Sequence, residues 1–215
     1  MNKFIIAAIA SLAVFSTSAH AATVVSVPGS NANFVPPAGA TSTFNGGSLA
    51  TGFTRTGGAI QNGSVSGQYA QPAFSDGSDF LNVLGGASST LQSSTGYNAV
   101  SFFWGSIDTY NTVHILDVLG NTIASFVGND PLIIAPANGN QTASNNNRFV
   151  TFTRSGSDAA FGGIRFASTG NSFELDNVSF QSPVPEPMTW MMLIAGFGMM
   201  GFAMRKRSSK GLATA

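Results

Sequence analysis

The chain has 215 residues, and its nine Lys+Arg balance nine Asp+Glu to a formal charge of zero. Only 8% of residues are charged, against about 25% in an ordinary soluble domain. Zero charge argues against a nucleic-acid partner, which needs a phosphate-neutralising basic face, and the absence of Cys excludes disulfides, Cys-ligated zinc and thiol catalysis.

The first element is Met1-Asn2-Lys3, followed by an apolar run from Phe4 to Phe15 and a small-residue end. This is the layout of a secretory signal peptide over residues 1–21. Ala19-His20-Ala21 fits the A-x-A cleavage rule, so cleavage is expected after Ala21. A buried N-terminal helix would show a polar face, and none interrupts the run. Export through the Sec machinery brings the chain to a compartment that permits disulfides. Without them, a hydrophobic core alone must hold the body together.

Residues 22–182 form the body. No long 3.6-residue period runs through it; short runs of Val, Ile, Phe and Thr alternate with Gly/Asn/Ser clusters, the all-β pattern. Residues 22–50 are rich in small polar residues, Gly and Pro, and read as loops. Residues 79–84 read as a strand closed by Gly85-Gly86, with a short helix as the competing reading. Residues 99–105 set Val100, Phe102 and Trp104 on one face and Ser101 and Phe103 on the other. Residues 113–119 and 122–127 flank Gly120-Asn121, the pair expected in a two-residue primed turn. Residues 136–147 read as loop. Strands follow at 148–154 and 163–168.

In the last run Phe173 and Leu175 share a face, but strict alternation would then turn Val178 and Phe180 outward. A one-residue bulge near Asp176-Asn177 returns both to the core. Eight to ten strands in about 160 residues predict a two-sheet, jelly-roll-like β-sandwich. The 18 Phe supply its core.

Chemistry-bearing motifs are scarce. His20 leaves with the signal peptide, so His114 is the one histidine of the mature chain; it sits in a strand pattern and reads as a hydrogen-bonded strand residue. No nucleophile elbow, H-E-x-x-H, P-loop or G-x-G-x-x-G occurs. Asp76/Asp79 and Glu174/Asp176 are acid pairs of the type glycoside hydrolysis uses, although a turn explains Asp76-Gly77-Ser78-Asp79 more simply. No catalytic residue, metal ligand or cofactor is assigned. Calcium is weighed because oxygen donors abound, with Asp176 and Glu174 or Asn177 as best donors, but no D-x-[DN]-x-[DN]-G loop supports it. The N-x-[ST] triplets at Asn62, Asn140 and Asn177 are near chance. Trp104 and Tyr110 are candidate carbohydrate contacts, since an aromatic face matches the apolar face of a sugar ring; core packing is the competing role.

The C-terminal segment, residues 183–215, opens on Pro183-Val184-Pro185-Glu186-Pro187-Met188-Thr189-Trp190. Residues 188–204 carry no charge, and Arg205-Lys206-Arg207 follows at once. This predicts a short transmembrane helix at about 188–204, Trp190 at the interface, and a basic stop-transfer cluster held in the cytoplasm. Pro185, Glu186, Pro187, Trp190 and the Arg205–Arg207 cluster together resemble the PEP-CTERM sorting tail of Gram-negative bacteria, in its P-E-P-x-x-W form. Met191 stands where the commoner variant has Ala.

The resemblance covers about the last thirty residues. It implies an exosortase as processing partner, transient residence in the inner membrane with a cytoplasmic C-terminus, and release or transfer to the cell surface or outside the cell. It also implies an association with exopolysaccharide and biofilm. The Phe173–Phe180 stretch resembles the closing strand of jelly-roll, carbohydrate-binding-like domains. With the Trp104–Asn111 segment it resembles exported sandwich bodies on other sorting-tail proteins.

The expected protein is an exported, non-enzymatic surface or matrix protein. The alternatives are a module that binds the producer's own polysaccharide and a carboxylate-dependent glycoside hydrolase. The zero charge is a sum over unlike parts: the signal holds Lys3, the tail holds four bases against Glu186, and the body holds four Arg against eight acids.

Overall fold

A computed structural model describes residues 22–29, 38–134, 136–156, 158–182 and 187–208. The cleavage residues Ala19 and Ala21, and Pro185 and Glu186 of the tail, lie outside them. The first described strand starts at Ala22, the residue after the expected cleavage point.

The body is a β-sandwich of two antiparallel sheets. In chain order its strands are β1 (Ala22–Pro28), β2 (Ala40–Ser42), β3 (Phe53–Gly57), β4 (Ala59–Gln61), β5 (Phe80–Val83), β6 (Ala87–Tyr97), β7 (Ala99–Gly105), β8 (Asn111–Leu116), β9 (Thr122–Val127), β10 (Arg148–Arg154), β11 (Phe161–Ser168) and β12 (Phe173–Gln181). One sheet has the order β1-β10-β7-β12-β5-β4, with β2 also on β12; the other has the order β3-β6-β11-β8-β9. The connections β6–β7, β7–β8, β9–β10, β10–β11 and β11–β12 each change sheet.

The alternation read for residues 99–105 is the one observed. Val100, Phe102 and Trp104 are fully buried between the sheets, and Phe103 faces the other way. The sheets are joined by aromatic contacts: Phe102 meets Phe166 edge-on at 5.0 Å, Phe166 meets Phe173 at 5.3 Å, and Phe126 meets Phe152 at 4.8 Å. Each such pair adds about 0.5–1.5 kcal/mol beyond area burial, which gives a disulfide-free core its cohesion.

The bulge in β12 is present. Asp176 pairs with Phe103 and Ser179 with Ser101, so three steps on β12 answer two on β7. Asn177 takes a left-handed φ of 53°, and Val178 and Phe180 return to the core. The bulge also divides one edge of β12, with β5 pairing before it and β2 after it. The closing strand therefore lies inside its sheet.

Several expectations are corrected. Residues 22–50 are not all loop, since they hold β1 and β2. By contrast, the strand expected at 79–84 is present as β5. The β8–β9 connection is longer than two residues: Asp117 N donates to Asn121 O at 2.9 Å, and the Asp117 carboxylate accepts from Leu119 N and Asn121 N at 2.8 and 2.9 Å. That carboxylate closes a wider loop, in which Gly120 takes the positive φ of 86°. Twelve strands are described, more than the eight to ten expected.

Residues Pro187–Ser208 form a helix, α1, with Pro at its first position, where a missing N–H costs nothing. The described side chains of Met191–Met200, apart from Gly196, are exposed although nearly all are apolar. Among the described residues no helix is long and apolar enough to cross a membrane. The segment expected to span at 188–204 lies within this helix.

Candidate functional site

Two regions carry the residues of interest: one end of the sandwich, and the tail. At the end of the sandwich, alternation along β12 turns Phe173 and Leu175 inward and Glu174 and Asp176 outward. Both acids are nonetheless buried, at 2% and 0% exposure. The segment between β4 and β5 reaches Glu174: Ala70 N donates to Glu174 Oε1 at 3.0 Å, Ser172 Oγ donates to the same oxygen, and Ser106 Oγ donates to Oε2 at 2.7 Å. Burial raises the Glu174 pKa and these donors offset part of the rise.

Around this carboxylate the 106–111 segment is sewn to the 168–174 segment. Tyr110 Oη donates to Asn171 O at 2.6 Å, Asn111 Nδ2 to Ser172 O at 3.3 Å, and Ser168 Oγ to Asn111 Oδ1 at 2.8 Å. Asp108 sits beside Gly139 so closely that a Cβ there would lie 2.2 Å from its Oδ1. Burial raises its pKa against a lowering hydrogen bond with Tyr110.

Two concavities flank this junction. One, of about 370 Å³, is lined by Ser64, Gln68, Tyr69, Gln141, Asn171 and Glu174 among others, a mostly amide and hydroxyl wall. The second, of about 420 Å³, is more open and lies against the face of β8 and β11, with Tyr110, His114 and Arg165 in its lining.

Asp176 lines neither. Its Oδ1 accepts from Asn177 N at 2.7 Å, and its buried Oδ2 has no partner. Burial, with Asp76 and then Asp79 nearby, pushes its pKa up to about 7. Neither of these two concavities is lined by both Glu174 and Asp176. No group of three or more His, Cys, Asp or Glu among the described residues is arranged to hold a metal.

The other sequence-level candidates also find places. Trp104 is not a carbohydrate contact: it is fully buried and stacked on Phe173 at 4.5 Å, because the alternation that buries Phe102 buries it too. Tyr110 is half-buried and lines the open cleft. His114 is a hydrogen-bonded strand residue, its Nδ1 2.8 Å from Ser125 Oγ. Asp76 and Asp79 organise a turn: Asp76 Oδ1 accepts from Ser78 N at 2.9 Å, and Asp79 accepts from Gly46 N at 2.9 Å and Asn62 Nδ2 at 3.0 Å. The Glu174 network was missed. Its one signal was an acid at an outward position that nonetheless lay between Phe173 and Leu175 in a strand predicted to bulge.

In the tail, Pro187 opens α1, Trp190 lies in its first turn, and Arg205–Arg207 lie in its last turns. Residues 183–208 match the family model of the PEP-CTERM protein-sorting motif. The motif begins two residues after β12 ends at Gln181. It supports an exported, membrane-transiting protein that an exosortase processes. No curated protein matches the chain.

Proposed function

We propose that the chain is a non-enzymatic surface or matrix protein delivered to an exopolysaccharide-bearing envelope. On this reading the 1–21 signal leads it through the Sec machinery. Helix α1 then holds the intermediate in the inner membrane, and Arg205, Lys206 and Arg207 stay on the cytoplasmic side. The seventeen uncharged residues 188–204 reach about 25 Å, short of a hydrocarbon core of about 30 Å. Local thinning of the bilayer and snorkelling of the basic side chains close that gap.

The observation that carries the reading is the sorting motif directly behind the closing strand. Because β12 is paired along both edges, a cut beyond Gln181 removes the tail without breaking a strand pair. In producing cells that lack the exosortase, tail-bearing precursor should accumulate in the inner-membrane fraction at a higher intact mass. An unchanged mature mass and distribution would sink the proposal.

The second reading is a module for the producer's own polysaccharide. It draws support from the two concavities at the 106–111/168–174 junction, one of them walled mainly by amides and hydroxyls, and from Tyr110 in the wall of the other.

A further inference from the structure

The outward face of the β3-β6-β11-β8-β9 sheet carries a feature that sorting does not use. Strand register lines up Thr56, Thr90, Arg165, His114 and Ser125 in one row across all five strands. The next row holds Ser88, Ala167, Thr112 and Val127. Alternation along β11 sends Ile164 and Phe166 into the core, so Arg165 and Ala167 look out. The face is a platform of hydroxyls and small side chains with one guanidinium at its centre.

That guanidinium is unlike the other three in the body. Arg55 donates to Gly58 O at 3.1 Å, Arg148 to Ser26 Oγ at 2.6 Å, and Arg154 to Asn98 Oδ1 at 2.7 Å. The Arg165 side chain makes no hydrogen bond or ion pair among the described residues, and its charge acts on His114 in the neighbouring strand. It borders the 420 Å³ cleft together with Tyr110, Thr112 and Ser88. The body holds eight acids against four Arg, so an unneutralised guanidinium on this face stands out.

We propose that this face binds an acidic polysaccharide, with a sugar carboxylate on the Arg165 guanidinium and sugar hydroxyls on the Thr, Ser and His114 side chains of the two rows. The inference rests on the polysaccharide reading above and names its ligand class. A guanidinium presents a planar fork that matches a carboxylate with two parallel hydrogen bonds. The small side chains around it let a sugar ring lie close to the sheet. Burial, and Arg165 itself, lower the His114 pKa, so His114 stays neutral near pH 7 and offers a hydrogen bond without adding a second charge. Tyr110 forms the end wall: it is held by Asn171 O, and the Gly170 backbone lies so near its ring that a Cβ there would sit 3.1 Å away.

The test is calorimetric titration of the full chain in detergent with a tetragalacturonate and, separately, with a neutral tetrasaccharide. The acidic probe should bind at least about tenfold more tightly than the neutral one. Arg165→Gln should weaken it by about tenfold, and Arg165→Lys, which keeps charge but loses the fork, by less. Neutral binding of equal strength, or acidic binding untouched in Arg165→Gln, overturns the acidic assignment and leaves the polysaccharide reading standing. Failure of both probes to bind overturns both.

Discussion

Asp176 shows how an outward-facing acid becomes a stability element. It is completely covered, one carboxylate oxygen has no donor, and Asp76 and Asp79 stand nearby. Its folded pKa of about 7 lies well above the ordinary aspartate value of 3.8. Between those values the folded state holds a proton that the unfolded chain has released, so stability falls as pH rises from about 4 through 7. The raised pKa of Glu174 acts in the same direction, so wild type must be compared with a variant at one site. Asp176→Asn removes the ionisation while keeping the size. At pH 8 it should be more stable than wild type, on the order of 1–3 kcal/mol, and its Tm should drop less between pH 5 and pH 8. Parallel Tm–pH curves would show that Asp176 does not carry the effect.

At the scale of elements, β12 repays attention because its sequence contradicts simple alternation and its structure resolves the contradiction. Phe173 and Leu175 demand one register, Val178 and Phe180 the other, and a left-handed Asn177 reconciles them. Deleting Asn177 should restore strict alternation, turn two core side chains outward and abolish the cooperative unfolding transition read by fluorescence of buried Trp104. Asn177→Gly should be nearly neutral, since Gly takes positive φ freely, whereas Asn177→Val should cost about 1–3 kcal/mol. The bulge was legible because large apolar residues on both sides fix the register. Strands β7 and β10 were legible to the residue for the same reason.

Strand β6 was not legible. Ala-Ser-Ser-Thr-Leu-Gln-Ser-Ser-Thr-Gly-Tyr has too few apolar residues to show a period. It is a strand because Leu91 and small Ser side chains fit beneath the sheet while β3 and β11 pair with it on both sides. Short strands β2 and β4 exist only through their partners β12 and β5. The Glu174 network joins segments more than sixty residues apart in sequence, for example Ser106 to Glu174, and such closure leaves no local mark. The fate of Trp104 followed from an alternation already visible in the sequence, which favoured the core over a sugar.

For the whole molecule, the distribution of charge couples sorting to the final product. The precursor sums to zero only because the basic residues at its two ends offset a body with four Arg and eight acids. On the proposed reading those basic residues act where a membrane reads them: Lys3 in the signal, and Arg205–Arg207 behind an exposed apolar helix. If both ends are removed as proposed, the protein that remains is a sandwich held by aromatic contacts, with a net charge of about −4 and its positive charge confined to four arginines. Three of those are tied to backbone or side-chain acceptors, and the fourth is open on a hydroxyl-rich face. Native electrophoresis at pH 7.5 gives a direct test. Material recovered from the cell surface should migrate towards the anode, and precursor recovered from membranes of cells lacking the exosortase should barely move in a neutral detergent. Equal mobility of the two, with equal intact mass, would mean that the basic ends survive in the product. In that case the surface form would keep its apolar helix, and the membrane rather than the surrounding polysaccharide would be its anchor.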